Sequence, residues 1–593
     1  MARKPRIRLI DPTNENHYFM TSKLDIKLIW FSRLTLAQVA GLTPEGYDVR
    51  ITDENVGPID FEEDIDLVGI TAMSQHAPRA YEIAARFRKR GISVVMGGVH
   101  ATMLPYEAKK HVDAVLIGEA EGIWDKLLDD YFKKGRLDPF YKAQARPNLK
   151  SLPHPRRDLL NKKAYSSINC VETTRGCPFD CEFCSVTAFA GGAFRMRPVQ
   201  EVVEEISKMN TKSVVFIDDN IIGNPRYAKK LFEALIPLNI RWGGQASTNI
   251  ARNKELLQLA AKSGCFSLFF GIETLSSNNL RSVNKNFNRP WEYEEDFKRV
   301  HDHGIRIIGS FIFGFDYDDE GAFERTVNFV RKNKLEIAYY NILTPLPGTR
   351  LFKRFEDSGR LLHKNWEHYN GYEVVFKPTL LTPESLQEGF HWTYRETYSY
   401  PSILKRISGN IDSALLKTFV LNWAFRRVAH KGPKGHMSAI GKILARFNPL
   451  VPVEDKNSLV PVLSKEFAIL KKKGLKTLEE AKSYLSIHIT KSDYLKSLKI
   501  TPFGSLDSKS LRVFWDKLVH ISKAYQEKIV IDFSGIVFCS KTAVSDFIKE
   551  KRVTLDHLGP KLHFENAKAI FDAIGEHFQE LALPNIADQN QAS

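Results

Sequence analysis

Short apolar runs separated by longer amphipathic stretches dominate the first 145 residues. The runs 6–10 (RIRLI), 48–52 (DVRIT), 65–70 (IDLVGI), 92–96 (ISVVM) and 113–117 (DAVLI) read as strands, and 78–90 reads as a helix. Strands this uniformly apolar are buried on both faces, which predicts a parallel sheet covered by helices: a Rossmann-like domain over 1–145. Open sheets of this kind bind ligands beyond the carboxyl ends of their strands. There the chain carries Ser74, Gly97, Gly98, His100, Glu119 and Glu121. It has no G-x-G-x-x-G turn, so a nicotinamide site is poorly supported.

A proline-rich and polar stretch, 146–166, reads as a linker, and the alternation then resumes over 167–355. Strands are expected at 167–171, 213–217, 240–243, 266–271, 305–313 and 337–343, with helices at 199–209, 226–237, 253–262, 291–303 and 320–333. Six such units predict a partial α/β barrel whose working face lies at the carboxyl ends of its strands. Residues 356–455 are rich in Trp, Tyr and His and read as a helical extension; the run 417–429 is either a core helix or a cover for an apolar substrate or membrane surface. From 456 to 593 a small α/β unit is expected, with strands at 528–533 and 561–564 and helices at 541–550 and 566–579. Its pattern resembles the sulfate-transporter/anti-sigma-antagonist fold, which implies a protein partner.

Composition narrows the class. With 43% hydrophobic and 26% charged residues in 593, the chain has enough apolar matter for several cores. The net charge of +15 is spread out, and no compact RNA-binding motif accompanies it, so nucleic acid is not expected as a partner. No run approaches 18 apolar residues and no long apolar leader opens the chain, which points to the cytoplasm.

The cysteines carry the chemistry. Four of the six, Cys170, Cys177, Cys181 and Cys184, fall within fifteen residues, and Cys177, Cys181 and Cys184 have C-x3-C-x2-C spacing after a strand. Three thiolates so close can hold three irons of a cubane and leave the fourth open to a small chelating molecule. The rival is a structural zinc site, which wants four protein ligands, and no suitable partner motif is evident. Cys170 and Cys265 lie in apolar elements and read as packing residues.

These stretches together resemble the cobalamin-binding radical S-adenosylmethionine enzymes, in particular their methyltransferases. The likeness rests on Gly176-Cys177-Pro178 with its cysteine spacing, Phe216 to Asn220, Phe270 to Glu273, Gly309 to Phe315, Thr344 to Thr349, Met96 to Thr102 and Ile117 to Glu121. It covers about residues 1–355 and implies a cobalamin-binding domain, a partial (β/α)6 radical barrel, and the cofactors [4Fe–4S], S-adenosylmethionine and cobalamin, with a one-electron reductant protein as partner. The family's Asp-x-His-x-x-Gly loop is absent, which implies cobalamin without a histidine ligand from below. By resemblance, Glu273 would bind ribose or the methionine amine, Gln245 and Ser247 the ribose or carboxylate, and Asp218 or Asp219 the adenosine. Gly97 and Gly98 would admit the corrin edge, and Ser74, Thr102 and Glu119 would bond amides or phosphate. His100 would touch the nucleotide tail or simply pack. The expected activity is methylation of an unactivated carbon on an apolar or amphipathic small molecule. A cyclase or rearrangement enzyme is the second reading, and a corrinoid-dependent sensor the third.

Overall fold

The computed structural model describes residues 3–14, 31–407 and 415–431, together with five strands between 485 and 565. The chain divides into two compact units, Met1–Gly435 and His436–Ser593.

The first sheet contains β1 (Arg6–Asp11), β2 (Asp48–Asp53), β3 (Leu67–Thr71), β4 (Ser93–Gly97), β5 (Ala114–Ile117) and β6 (Phe140–Lys142). They are parallel, in the order β2-β1-β3-β4-β5-β6. The winding reverses between β1 and β3, so the crevice at which such sheets take ligands opens there. Both faces are packed: Val68, Ile70, Val94 and Met96 join one core and Leu67, Val95 and Leu116 the other. That double burial is why the strands read as unbroken apolar runs. Strand β6 was not anticipated; it has only three residues and ends in a lysine.

The second sheet begins with β7 (Cys170–Val171). A two-stranded antiparallel ribbon follows, β8 (Thr174–Arg175) and β9 (Arg195–Met196), and then β10 (Ser213–Phe216), β11 (Arg241–Ala246), β12 (Cys265–Glu273), β13 (Arg306–Phe313) and β14 (Ile337–Ile342). The order β14-β13-β12-β11-β10-β7 is parallel throughout, the expected six-stranded partial barrel. Its helices fall where periodicity put them, at Val199–Lys208, Pro225–Leu235, Lys254–Lys262, Tyr293–Asp302 and Ala322–Lys332. Asn224 and Asn253 start two of these by accepting the Tyr227 and Leu256 N–H groups.

An incomplete barrel leaves β14 with unpaired N–H and C=O groups along one edge. The extension seals it with side chains. On helix Pro383–Thr397 and its C-cap, the Tyr394 hydroxyl accepts from the Tyr340 N–H at 3.0 Å and donates to the Tyr340 carbonyl at 2.9 Å. The Tyr398 hydroxyl treats Ala338 in the same way, at 3.1 and 2.8 Å. The spacing is matched, since four helical residues rise about 6 Å and two strand residues about 6.6 Å. Arg406, itself buried, donates to the carbonyls of Leu335 and Glu336. The expected helix at 417–429 is found as Leu415–Lys431, and its Phe425 packs on Tyr339 and Tyr398 within the barrel core. Phe425 is therefore a core residue.

In the second unit, β15 (Leu485–Ser492) and β16 (Ser497–Leu506) form an antiparallel hairpin. With β17 (Lys528–Asp532), β18 (Ile536–Cys539) and β19 (Leu562–Glu565) they make a mixed sheet, order β15-β16-β17-β19 with β18 also pairing β16. The strands expected at 528–533 and 561–564 are present; the helices expected at 541–550 and 566–579 lie outside the described residues. Among the described residues no helix is long and apolar enough to cross a membrane.

Candidate active site

The cysteine loop leaves β7 and is pinned at its base. One oxygen of the buried Asp218 carboxylate accepts from the N–H and hydroxyl of both Thr173 and Thr174. Asp218 therefore shapes the loop through that oxygen. Gly176 has φ +88°, and a Cβ there would lie 2.0 Å from the Ala193 carbonyl oxygen, so no other residue fits. Its N–H is donated to Asp219 Oδ2 at 3.2 Å. The residues between the cysteines anchor outward: Asp180 pairs with Arg350, and Glu182 with Arg354, which also holds Asp316. Phe179 stacks on Phe287 at 3.6 Å between centroids.

Cys177, Cys181 and Cys184 are free thiols close enough to perturb one another electrostatically. Burial raises the Cys177 thiol and pushes Cys181 up to about 12, while the charge of Lys285 pulls Cys181 the other way. Among the described residues no three His, Cys, Asp or Glu side chains converge on a point suited to one ion. A cubane takes one thiolate per iron and can leave its fourth iron to another ligand, whereas a structural zinc site wants four protein ligands. The donor set and its neighbouring cation fit the cluster.

That cation was missed by sequence reasoning. Lys285 is 9% exposed and bonds Glu273 Oε1 at 2.9 Å. Burial works to strip its proton, but Glu273 and the Cys181 and Cys184 sulfurs hold it above the usual lysine range. Glu273 ends β12 in a left-handed conformation, φ 67°, beyond a bulge. A side chain at Gly271 would come within 2.5 Å of its carboxylate. Gln245 donates to the Asp219 carbonyl at 3.0 Å, and the Ser247 N–H to Asn220 Oδ1 at 3.1 Å. The Ser247 hydroxyl makes no capping bond to the turn it begins. Thus Asp219, Gln245, Ser247 and Glu273 stand on the strand-end rim that carries the cysteine loop. Cys170 and Cys265 are buried, and Cys265 Sγ lies 3.8 Å from the Ser267 carbonyl.

The rim of the first sheet is spent differently. A Cβ on Gly98, where φ is +91°, would meet Thr71 Oγ1 at 2.7 Å, and one on Gly97 would touch Leu116. Gly98 is thus required by its own packing, whereas Gly97 is in ordinary contact with its neighbour. Open backbone lies instead at Gly118, φ +89°, where a Cβ would meet nothing within 4 Å. Thr102 donates to the Gly98 carbonyl at 2.8 Å and accepts from the Gly118 N–H at 2.9 Å, clipping β4 to β5. His100 is fully buried, with Nε2 2.8 Å from the Tyr81 hydroxyl and 3.3 Å from Glu107, whose carboxylate also takes the Trp366 indole N–H. Ser74, 4% exposed, opens a short 3₁₀ turn after β3. Glu119 is neither solvated nor free for a phosphate: Arg175 at 2.7 Å and Arg195 occupy it and, against the effect of burial, hold its pKa down.

The switch point between β1 and β3 and the open backbone of Gly118 suit a flat ring edge bearing amides, so the first sheet fits a corrinoid. The two rims also abut: Met103 Sδ fills the space that a Cβ on Gly348, φ +82°, would need.

Two family profiles match this chain, the B12 binding domain at residues 31–128 and the Radical SAM superfamily at 171–330. Bacteriochlorophyllide d C-12(1)-methyltransferase of Chlorobaculum tepidum is 37% identical over 409 residues, 67% of this chain and 89% of that protein. The C-8(2)-methyltransferase of the same organism is 31% identical over 395 residues, 63% and 87% of the two chains. Among solved structures, the cobalamin-dependent S-adenosylmethionine radical enzyme OxsB, with aqua-cobalamin and S-adenosylmethionine bound, aligns at TM-score 0.52 and 14% identity over 79% of each chain, which speaks to fold. A corrinoid domain feeding a radical barrel is thus the class that fold and site define. The chain belongs to the cobalamin-binding radical S-adenosylmethionine enzymes, with [4Fe–4S], S-adenosylmethionine and cobalamin as cofactors and 5′-deoxyadenosyl radical and methylcobalamin chemistry as its catalytic repertoire.

Proposed function

We propose that the protein methylates an unactivated carbon of a large apolar or amphipathic small molecule, with a tetrapyrrole-like or polycyclic substrate favoured. The observation that carries the reading is the abutment of the two strand-end rims, which sets the cysteine loop beside the corrinoid domain. When bound, the cluster with S-adenosylmethionine supplies a hydrogen-abstracting radical, and cobalamin supplies the methyl group.

The chain's own residues bind, orient and exclude water. Cys177, Cys181 and Cys184 would hold the cluster. Lys285 offsets thiolate charge and fixes Glu273, which with Asp219, Gln245 and Ser247 orients the nucleoside. Ser74, Gly97, Gly98, Thr102 and Gly118 shape the corrinoid rim; His100 and Glu119 act behind it. The core that joins extension and barrel, with Phe425 against Tyr339, keeps bulk water from the reactive space. The chlorophyllide methyltransferases above and the hopanoid C-2 methylase of Rhodopseudomonas palustris, 26% identical over 343 residues, are named for broad, mostly apolar ring systems, which supports this substrate class. A small one-electron carrier protein would reduce the cluster, and the second unit would serve protein contact.

The test is anaerobic reconstitution with iron, sulfide and cobalamin, then incubation with methyl-labelled S-adenosylmethionine and a tetrapyrrole or lipid extract. The expected product carries the label and requires both cofactors. Deoxyadenosine together with an altered but unlabelled substrate would overturn methyl transfer in favour of cyclisation or rearrangement.

A further inference from the structure

Two residues before Cys177, Arg175 directs each guanidinium nitrogen to a different carboxylate. Nε donates to Glu172 at 2.8 Å, Nη1 to Glu119 at 2.7 Å and Nη2 to Glu121 at 2.7 Å. Glu172 belongs to its own loop, while Glu119 and Glu121 follow β5 in the corrinoid domain. Arg195, on the paired strand β9, takes Glu119 a second time and also donates to the Pro147 carbonyl at 2.8 Å. Side chains of Arg175, Glu119 and Glu121 are only 15%, 9% and 9% exposed. Opposing charges drawn this far out of water hold a defined geometry, and removing one partner strands the others. A surface pair would not.

The position of this cluster is what gives it a role. Arg175 and Cys177 are separated by two peptide links, so their Cα atoms are at most about 7.6 Å apart. The glycine between them is tied down at its N–H by Asp219 and leaves no room for a side chain against Ala193. On the other side, Glu119 directly follows Gly118, whose N–H is fixed by Thr102 and whose backbone faces open space. The carboxylates thus join the first cluster thiol to the open rim of the corrinoid domain through a few stiff bonds. We propose that Arg175 and Glu119 form an ionic latch that sets the spacing between the cluster and the corrinoid, making both of them positioning residues for the reaction. The inference rests on both cofactors being bound as the family requires, and not on methyl transfer.

Glu119→Gln keeps the shape and removes the charge. Arg175→Lys keeps the charge and loses the three-way fork. Each variant is loaded with both cofactors, its iron and cobalt contents are measured, and the magnetic interaction between the reduced cluster and Co(II) cobalamin is read by electron paramagnetic resonance. Metal contents should match the parent, the spin interaction should weaken or broaden, and product formed per deoxyadenosine should fall by roughly 100-fold, as displacement of reacting groups by about 1 Å does. A spin interaction identical to the parent in Glu119→Gln would overturn the latch, whatever happens to thermal stability. If Arg175→Lys does not fold, Glu119→Gln alone decides. A parent enzyme that transfers no labelled methyl, with a spin interaction that still shifts in the variants, would sink the methylation reading and leave the latch standing.

Discussion

The two parallel sheets of the first unit carry their polar residues at the same place, the carboxyl ends of the strands, yet use them in opposite ways. Around the first sheet, Thr102, His100 and Glu119 are bonded to other parts of the protein, and a side chain on Gly98 would run into Thr71. Around the second sheet, three thiols stay free, and a buried lysine and glutamate are poised behind them. Asp219, Gln245 and Glu273 are bonded within the protein too, so what sets the second rim apart is its three free thiols. The corrinoid rim is presented mainly as backbone, the cluster rim as side chains.

That contrast can be broken most severely at the thiols. Cys181→Ala should abolish cluster assembly and with it deoxyadenosine formation, read as iron and sulfide content and by chromatography; normal iron loading would contradict the ligand set. Next comes Lys285→Met, which removes the cation beside the cluster. Iron affinity should drop about 10- to 100-fold, with Lys285→Arg retaining most of it, as for other groups that support metal ligands; competition with a chelator measures both. The glycines of the first sheet sharpen the comparison. Gly98→Ala should destabilise folding by about 1–3 kcal/mol through its left-handed backbone and the Thr71 contact, seen as a lower urea midpoint. Gly118→Ala should cost less stability but weaken cobalamin binding in equilibrium titration. Thr102→Val should have the smallest effect, about 1 kcal/mol for the lost clip, without loss of iron; a larger effect on iron than on stability would erase the distinction between the rims.

Much of this was legible in the sequence for a physical reason. Strands such as 65–70 and 305–313 are buried on both faces, so they announce themselves as apolar runs within one or two residues of their observed limits. The ribbon β8–β9 escaped notice because two residues per strand carry no period, and β16 because Pro502 and Gly504 interrupt its alternation. The three cysteines were readable because their spacing is local. Lys285 lies about a hundred residues further along, and only the fold brings it to Cys181. Glu119 looked like a free carboxylate because its partners, Arg175 and Arg195, are 56 and 76 residues away. Sequence identifies residue types at a rim; whether they are already committed elsewhere is settled by tertiary contacts.

The tyrosine hydroxyls along β14 have a further consequence. A barrel closed by strands fixes its own circumference, because each new strand must match the register of its neighbours. Here the last strand ends against detachable chemistry, two phenols and a guanidinium, so its sheet is complete without dictating what comes next. The wall beyond it is therefore set by one helical segment, whose exchange would reshape that side without touching the strands that carry the cysteine loop.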